Sequence, residues 1–309
     1  GPGGGKVSAE NISGKAPGGK RARLADALPL ATPFVVQIFP VYACNFKCGY
    51  CIFSVEKKKR HFISGEIMMD PRLYRKCVDD MAAFPQKIKV LRFVGIGEPL
   101  LHKDIAGMIR YTVEKGIAET VELLTNASLL THEMSDALIA AGLTRLVVSI
   151  QGVTKEKYRA ICGADIDLDG FIGNLRYFFE RRGKARVYVK IVDCALGGKD
   201  DEKKFFGLFG EVCDTMAVET AVPIHSGVDF EKVLKDRAVS VTQFGLPVSE
   251  VEVCPQPFFH MQINPDGKVV LWGSPDRHLN HSCDPNAYGL EEGDGSAVVS
   301  IVARRDIPV

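Results

Sequence analysis

The 309 residues carry 39 Lys and Arg against 38 Asp and Glu, and a formal net charge of +1 points to no particular partner, so no nucleic-acid partner is expected. Apolar residues at 46% and charged residues at 25% describe an ordinary globular chain and exclude disordered or fibrous classes. The length suits one large domain with an appendage, and nine cysteines without a secretory signal argue for a reducing cytoplasm, where thiols ligate metals or stay free.

Residues 1–32 read as a flexible lead-in, with Gly1 to Lys20 rich in Gly, Lys, Ser and Ala in the manner of a cloning remnant or tail. The apolar stretch Leu28 to Ala43 is interrupted by Pro29, Pro33 and Pro40 and is too short to span a bilayer, so no membrane partner is expected. From Pro33 onward, short β-branched or apolar runs alternate with longer runs of helical period, the pattern of repeated βα units around a parallel sheet. The predicted strands are Phe34–Phe39, Ile88–Val94, Thr120–Leu124, Arg145–Ile150, Arg186–Val192 and Thr215–Ala221. The predicted helices between them are Pro71–Ala83, Lys103–Lys115, His132–Ala141, Gly170–Arg182 and Lys203–Val212. Pro71 suits a first helical turn, and Gly116, Gly142 and Gly183 suit the residue that closes a helix. The α/β unit is predicted over residues 33–225. A small β-rich module follows over residues 226–309, a charged connection leading to a hairpin that turns at Asp266-Gly267.

Cys44, Cys48 and Cys51 follow the first predicted strand, and in parallel sheets ligands collect at the carboxyl ends of strands. One disulfide does not account for all three. A structural zinc needs a fourth ligand from elsewhere, and unrelated free thiols are a further reading. A cubane iron–sulfur cluster held by three thiols leaves one iron open to a substrate or cofactor.

The spacing of these cysteines after the first strand, with Tyr50 directly before the third, resembles the signature of the radical S-adenosylmethionine (SAM) superfamily. The resemblance implies that the six βα units form a partial (βα)6 TIM-like barrel. It further implies that Cys44, Cys48 and Cys51 bind a [4Fe–4S] cluster, that Tyr50 contacts the cofactor, that SAM chelates the open iron, and that one electron cleaves SAM to a 5′-deoxyadenosyl radical. "GIGEPLLH", Gly95 to His102, is similar to the family's GGEP turn, with Ile96 where a glycine usually sits. This implies Gly97, Glu98 and Pro99 beside the cofactor's amino group; a plain strand-to-helix turn is the other reading.

Thr125-Asn126 resembles the TNG turn with Ala127 in place of Gly, so Asn126 reaches a ribose or its own backbone. "VVSIQG" resembles the S-x-D-G strand ending with Gln151 in place of Asp, which implies Ser149 near the ribose hydroxyls, or else satisfied inside the sheet. Lys190 stands where family members place a cation against the cofactor carboxylate, or else on the surface. Val222 and Ile224 stand where relatives meet adenine.

The implied reaction is hydrogen abstraction from a peptide or small polar metabolite. Its electron donor would be a flavodoxin or ferredoxin meeting the basic run Glu56 to His61, which also reads as a solvated face. Cys254 to Val270 is similar to the start of a SPASM or twitch extension, but Leu271-Trp272-Gly273 replaces the expected second cysteine, and Cys213 and Cys283 are distant substitutes. An auxiliary cluster is therefore not expected, and Cys254 reads as a buried thiol. His278 to Val309 resembles the end of a SET methyltransferase domain through Asn280, His281, Cys283 and Asn286, on too short a stretch to be active. The alternatives to a radical enzyme are a non-catalytic iron–sulfur or zinc module and a SET-type lysine methyltransferase fragment.

Overall fold

The computed structural model describes residues 9–15, 24–60, 64–223, 227–234, 240–246 and 256–270, and the backbone of 287–291 and 299–303. In chain order the elements are β1 (Glu10–Asn11), β2 (Val35–Ile38), α1 (Pro71–Met81), β3 (Ile88–Phe93), α2 (Ile105–Lys115), β4 (Ala118–Thr125) and α3 (His132–Ala140). There follow β5 (Arg145–Ile150), α4 (Lys155–Cys162), α5 (Leu168–Arg181), β6 (Arg186–Val192), α6 (Lys199–Phe209), β7 (Thr215–Glu219), α7 (Phe230–Leu234), β8 (His260–Ile263) and β9 (Val269–Val270). β10 (Ala287–Glu291) and β11 (Val299–Ala303) form a separate antiparallel pair. Among the described residues, no helix is long and apolar enough to cross a membrane.

The main sheet has nine strands in the order β1-β7-β6-β5-β4-β3-β2-β8-β9. Every neighbouring pair is parallel except β8 with β9. From β2 to β7 each strand lies beside its predecessor with at least one helix in the connection, which is the α/β architecture of a partial TIM-like barrel. All six predicted strands and all five predicted helices are present, and Gly116, Gly142 and Gly183 take the expected left-handed conformation.

Besides the short α7, which was not predicted, three elements differ from the sequence reading. Glu10 and Asn11, inside the predicted flexible lead-in, pair with Thr215 and Met216 as an edge strand. α4 was not predicted; Thr154 caps it by accepting from Lys157 N at 3.2 Å, and Tyr158 and Cys162 are its buried residues. The predicted hairpin forms, but β8 extends the main sheet beside β2, with Val35 opposite His260 and Gln37 opposite Gln262.

Successive strand residues point to opposite faces. Val36, Ile38, Leu91, Phe93, Leu123 and Val148 point to the helix side, where they share one core with Tyr74, Ile109, Leu138, Phe178 and Phe205. The opposite, concave face carries a polar row in register across neighbouring strands: Gln262, Gln37, Arg92, Glu122 and Arg145. Glu122 is 1% exposed; Arg92 hydrogen-bonds to it and Arg145 Nη1 lies 3.3 Å from its Oε2.

Phe178→Ala is expected to lower the unfolding free energy by about 3–5 kcal/mol, whereas Thr131→Ala, which removes the α3 cap at Met134 N, costs about 1 kcal/mol; urea unfolding measures both. Burial, with the Arg92 charge adding to it, lowers His260 from 6.5 to about 4. The folded value lies below the unfolded one, so the neutral ring's contribution is complete above pH 6.5 and is lost as pH falls through that window to about 4. His260→Gln should flatten the acid loss of stability in that window, read by unfolding at stepped pH; an unchanged slope contradicts this.

Candidate active site

The chain leaves β2 at the carboxyl edge of the sheet and runs through Phe39 to Cys51 as an irregular loop. Irregular backbone needs partners for its polar groups, and this loop finds them on three sides. Tyr42 N donates to Ile67 O at 2.7 Å and Met69 N to Pro40 O at 3.0 Å, holding the segment before α1. Glu98 N, after β3, donates to Ala43 O at 2.8 Å. Lys47 N and Gly49 N each donate at 2.9 Å, to Cys162 O and Ile161 O at the end of α4.

The turn after β3 presses directly on this loop. Gly97 has φ +143°, and a Cβ there would lie 2.1 Å from Val41 O and 2.7 Å from Ala43 O. Gly95, at φ +130°, would place a Cβ 2.4 Å from the Phe39 ring. Both conformations suit glycine, and both contacts exclude any side chain. In this fold the glycines of GIGEP let one loop approach another.

Cys44, Cys48 and Cys51 are all free thiols; Cys48 is buried and the other two are half-buried. Cys44 Sγ receives Phe46 N at 3.4 Å and faces Asn126 Nδ2 at 3.9 Å. The Cys48 thiol donates to Gln151 Oε1 at 3.4 Å, and the Tyr50 hydroxyl donates to the same oxygen. Gln151 Nε2 in turn donates to Ser149 O at 3.1 Å.

Burial pushes Cys44 up to about 11; the Phe46 N–H and the Asn126 amide oppose it, and the nearby Glu98 and Cys51 charges reinforce it. The neighbouring Cys162 thiol, burial, and the Cys51 and Cys44 thiols all raise Cys48. Cys51 is raised by burial, against the N–H groups of Phe53 and Ile52. These shared causes place the three thiols in one electrostatic neighbourhood, where a bound cation would reverse the preference for the neutral form.

Among the described residues, no three His, Cys, Asp or Glu side chains converge on a single-ion site. A cubane does not require convergence, because each thiolate binds a different iron. Backbone N–H groups directed at Cys44 and Cys51, and three sulfurs on one shielded loop, suit such a cluster.

Glu98 is 2% exposed and heavily engaged. Its Oε1 accepts from Leu100 N at 2.9 Å and Thr125 Oγ1 at 2.5 Å, and its Oε2 accepts from Asn126 N at 2.7 Å. Burial raises its carboxyl, while the Thr125, Asn126 and Leu100 donors pull it back. It therefore clamps the turn after β3 to the turn after β4, and Pro99 opens the buried 3-10 turn beside it.

Asn126 Nδ2 donates to Asn45 Oδ1 at 2.9 Å in the thiol loop, and its Oδ1 accepts from Ser128 N at 2.9 Å. Ala127, which replaces the family's glycine, keeps the left-handed conformation at φ 57°.

Ser149 is half-buried and lies opposite Lys190 in the β5–β6 register. The alternative of a surface lysine is corrected: the Lys190 side chain is 13% exposed and its Nζ donates to Glu219 Oε2 at 2.7 Å. Glu219 also accepts from Tyr188 Oη at 3.0 Å and Gln243 Nε2 at 2.8 Å.

Val222 is half-buried, while Ile224, Cys254, Leu271 to Gly273, His61 and the SET-like motif residues lie outside the described residues. Cys213, offered as a substitute ligand, is buried, and its thiol donates to Phe209 O at 3.2 Å. Lys57, Lys58 and Lys59 form an exposed 3-10 turn, whereas Arg60 folds back over the Phe53 ring at 4.8 Å.

Direct contacts thus join the thiols, Tyr50, Gln151, Asn126 and Glu98 at the carboxyl ends of β2 to β5. The roles of Asn45 and Cys162 were missed, because both depend on neighbours distant in sequence.

A parallel α/β barrel that presents three free thiols on the loop after its first core strand belongs to the class of iron–sulfur enzymes built on such barrels. The sequence profile of the Radical SAM superfamily matches residues 38–204, more than half of the chain, and the chain belongs to that superfamily. Its cofactors are a [4Fe–4S] cluster and SAM.

Among curated proteins the chain is similar to the tungsten-containing aldehyde ferredoxin oxidoreductase cofactor-modifying protein of Pyrococcus furiosus, at 35% identity over 107 residues, covering 35% of this chain and 28% of that one. It is similar to the Fe-coproporphyrin III synthase of Methanosarcina barkeri at 32% over 123 residues, 39% of this chain and 28% of that one. It also matches the probable GTP 3′,8-cyclase of Saccharolobus solfataricus at 29% over 131 residues, 42% and 39% of the two chains. The match thus spans between 28% and 39% of these relatives' lengths. Among solved structures, Streptococcus suis SuiB bound to S-adenosylmethionine superposes with TM-score 0.60 at 16% identity, covering 81% of this chain and 62% of that one, a likeness of fold.

Gly97→Ala is expected to displace the thiol loop, costing about 1–3 kcal/mol of stability together with most iron loading after reconstitution. Thermal unfolding and iron analysis read the two effects, and full iron loading in the variant contradicts the assignment.

Proposed function

We propose that this chain is the radical-generating part of an enzyme that reductively cleaves SAM and directs the 5′-deoxyadenosyl radical to a C–H bond of a peptide or small polar metabolite. The observation that carries this reading is the loop of three free thiols, held at the carboxyl edge by Gly97, the end of α4 and Gln151. Bound there, the cluster supplies the electron that cleaves the sulfonium of SAM.

The chain's own work is positioning and exclusion of water. Cys44, Cys48 and Cys51 hold the cluster. Glu98 fixes the two turns that border the SAM site and keeps one acceptor position on Oε2 for the cofactor ammonium. Gly97 and Pro99 shape that edge, Asn126 and Ser149 face the ribose, Tyr50 braces the loop through Gln151, and Ile224 meets adenine. Lys190 approaches the cofactor carboxylate while Glu219 keeps its charge compensated.

Residues 33–225 supply the six βα units of the barrel, Glu10–Asn11 and the hairpin of β8 and β9 join its sheet at the two edges, and the remainder of 226–309 is read as a twitch-like connection ending in the SET-like stretch. The chain works in the cytoplasm with a flavodoxin or ferredoxin, which meets the exposed Lys57–Lys59 turn. A peptide substrate is supported by the likeness to SuiB, whose structure with its precursor peptide SuiA superposes with TM-score 0.59 at 15% identity, covering 81% of this chain.

Anaerobic reconstitution should give about four irons and four sulfides per chain, and reduction with SAM should release 5′-deoxyadenosine. Cys48→Ala should lose both. About one zinc without sulfide, or a loaded protein that leaves SAM intact, contradicts the reading.

A further inference from the structure

The concave face of the barrel carries a second group of polar side chains that the proposed cofactor site leaves unused. Three sit at alternate positions on β8 and just beyond it, and all are deeply buried: His260 at 9%, Gln262 at 1% and Asn264 at 0% exposure. Each holds a polar atom without a hydrogen-bond partner among the described residues, namely His260 Nε2, Gln262 Oε1 and Asn264 Nδ2. Buried polar atoms are ordinarily paired, so three orphans on one strand face point to a missing partner.

The register places them beside charge. Gln262 lies opposite Gln37, which lies opposite Arg92, and the Arg92 charge helps to keep His260 neutral. Two guanidiniums, Arg92 and Arg145, face the single buried carboxylate of Glu122, so this row carries one uncompensated positive charge. Further along the same face, Lys190 and Glu219 cancel each other.

The row is continuous with the thiol loop. Gln262 Nε2 donates to Asn264 Oδ1 at 2.5 Å, and the Tyr42 hydroxyl donates to the same oxygen at 2.8 Å, two residues before Cys44.

We propose that this row is the substrate subsite and that it selects a carboxylate-bearing substrate. The carboxylate pairs with Arg145 and Arg92, whose side chains are 23% and 31% exposed, while His260, Gln262 and Asn264 form the buried polar floor beneath them. The inference rests on the radical reading for what happens to that substrate, and on the row alone for its binding. A carboxylate can come from a free acid or from a peptide side chain, and the test separates the two.

The reconstituted full chain, with SAM present, is titrated with glutarate and its uncharged counterpart glutaramide. A parallel pair is the blocked tripeptide acetyl-Gly-Glu-Gly-amide and its Gln analogue, and calorimetry follows both. One of the two charged probes should bind about tenfold or more tightly than its neutral partner, the size of one charge-assisted hydrogen bond, and that probe identifies the source. Arg145→Gln leaves Arg92 on Glu122 and should bring the preference within about threefold, and Arg145→Lys should regain part of it. If Arg145→Gln does not fold, as judged by circular dichroism, a reduced preference in Arg145→Lys decides the point.

Absence of a charge preference in both probe pairs, or a preference that the Arg145 variants keep in full, overturns the proposal. Release of 5′-deoxyadenosine is scored separately. Charge-selective binding without release defeats only the radical reading, and release without charge-selective binding defeats only this one.

Discussion

The contact of Gly97 with the carbonyls of Val41 and Ala43 governs the carboxyl edge of this barrel. A loop rich in thiols gains little from hydrophobic packing and much entropy from freedom, so it stays in one shape only where its backbone is held by fixed neighbours. Here the neighbours are the turn after β3, which has given up its side chain to come close, and the end of α4. Glu98 extends the constraint by tying its own turn to the turn after β4 through Thr125 and Asn126. The placement of the thiols is therefore a property of several strand ends acting together.

The two faces of the sheet divide the work. The helix side is apolar and supplies stability through residues such as Phe93, Phe178 and Phe205. The concave side supplies polarity, with the row from Gln262 to Arg145, the Lys190–Glu219 pair and the Gln151 bridge to the thiol loop. Buried charge of this kind is costly as a stabilising device.

The strands and helices from Pro33 onward were legible because each alternates apolar and polar residues at its own period. β1 is two residues long, too short for any period to register. α4 offered only the Thr154 cap and a single turn's worth of buried positions, Tyr158 and Cys162. That β8 joins the main sheet is a tertiary fact, since a strand's own residues do not name its neighbour. In the site, the three cysteines stood out by their spacing, and the family resemblance, not the spacing, singled out a cluster over zinc or free thiols. The tie of Glu98 to Thr125 and Asn126, the Gln151 bridge and the Lys190–Glu219 pair were not legible, because each joins residues 27 or more apart in sequence.

The account depends on three protein sulfurs, and no fourth, holding the cluster, although Cys162 adjoins Cys48 from the end of α4. Mössbauer spectroscopy of the chain reconstituted with isotopically enriched iron, before and after SAM, tests this most directly. The account predicts that a single iron subsite shifts when SAM is added and that Cys162→Ala retains this behaviour. A spectrum indifferent to SAM, or a Cys162→Ala protein as cluster-poor as Cys48→Ala, would contradict it.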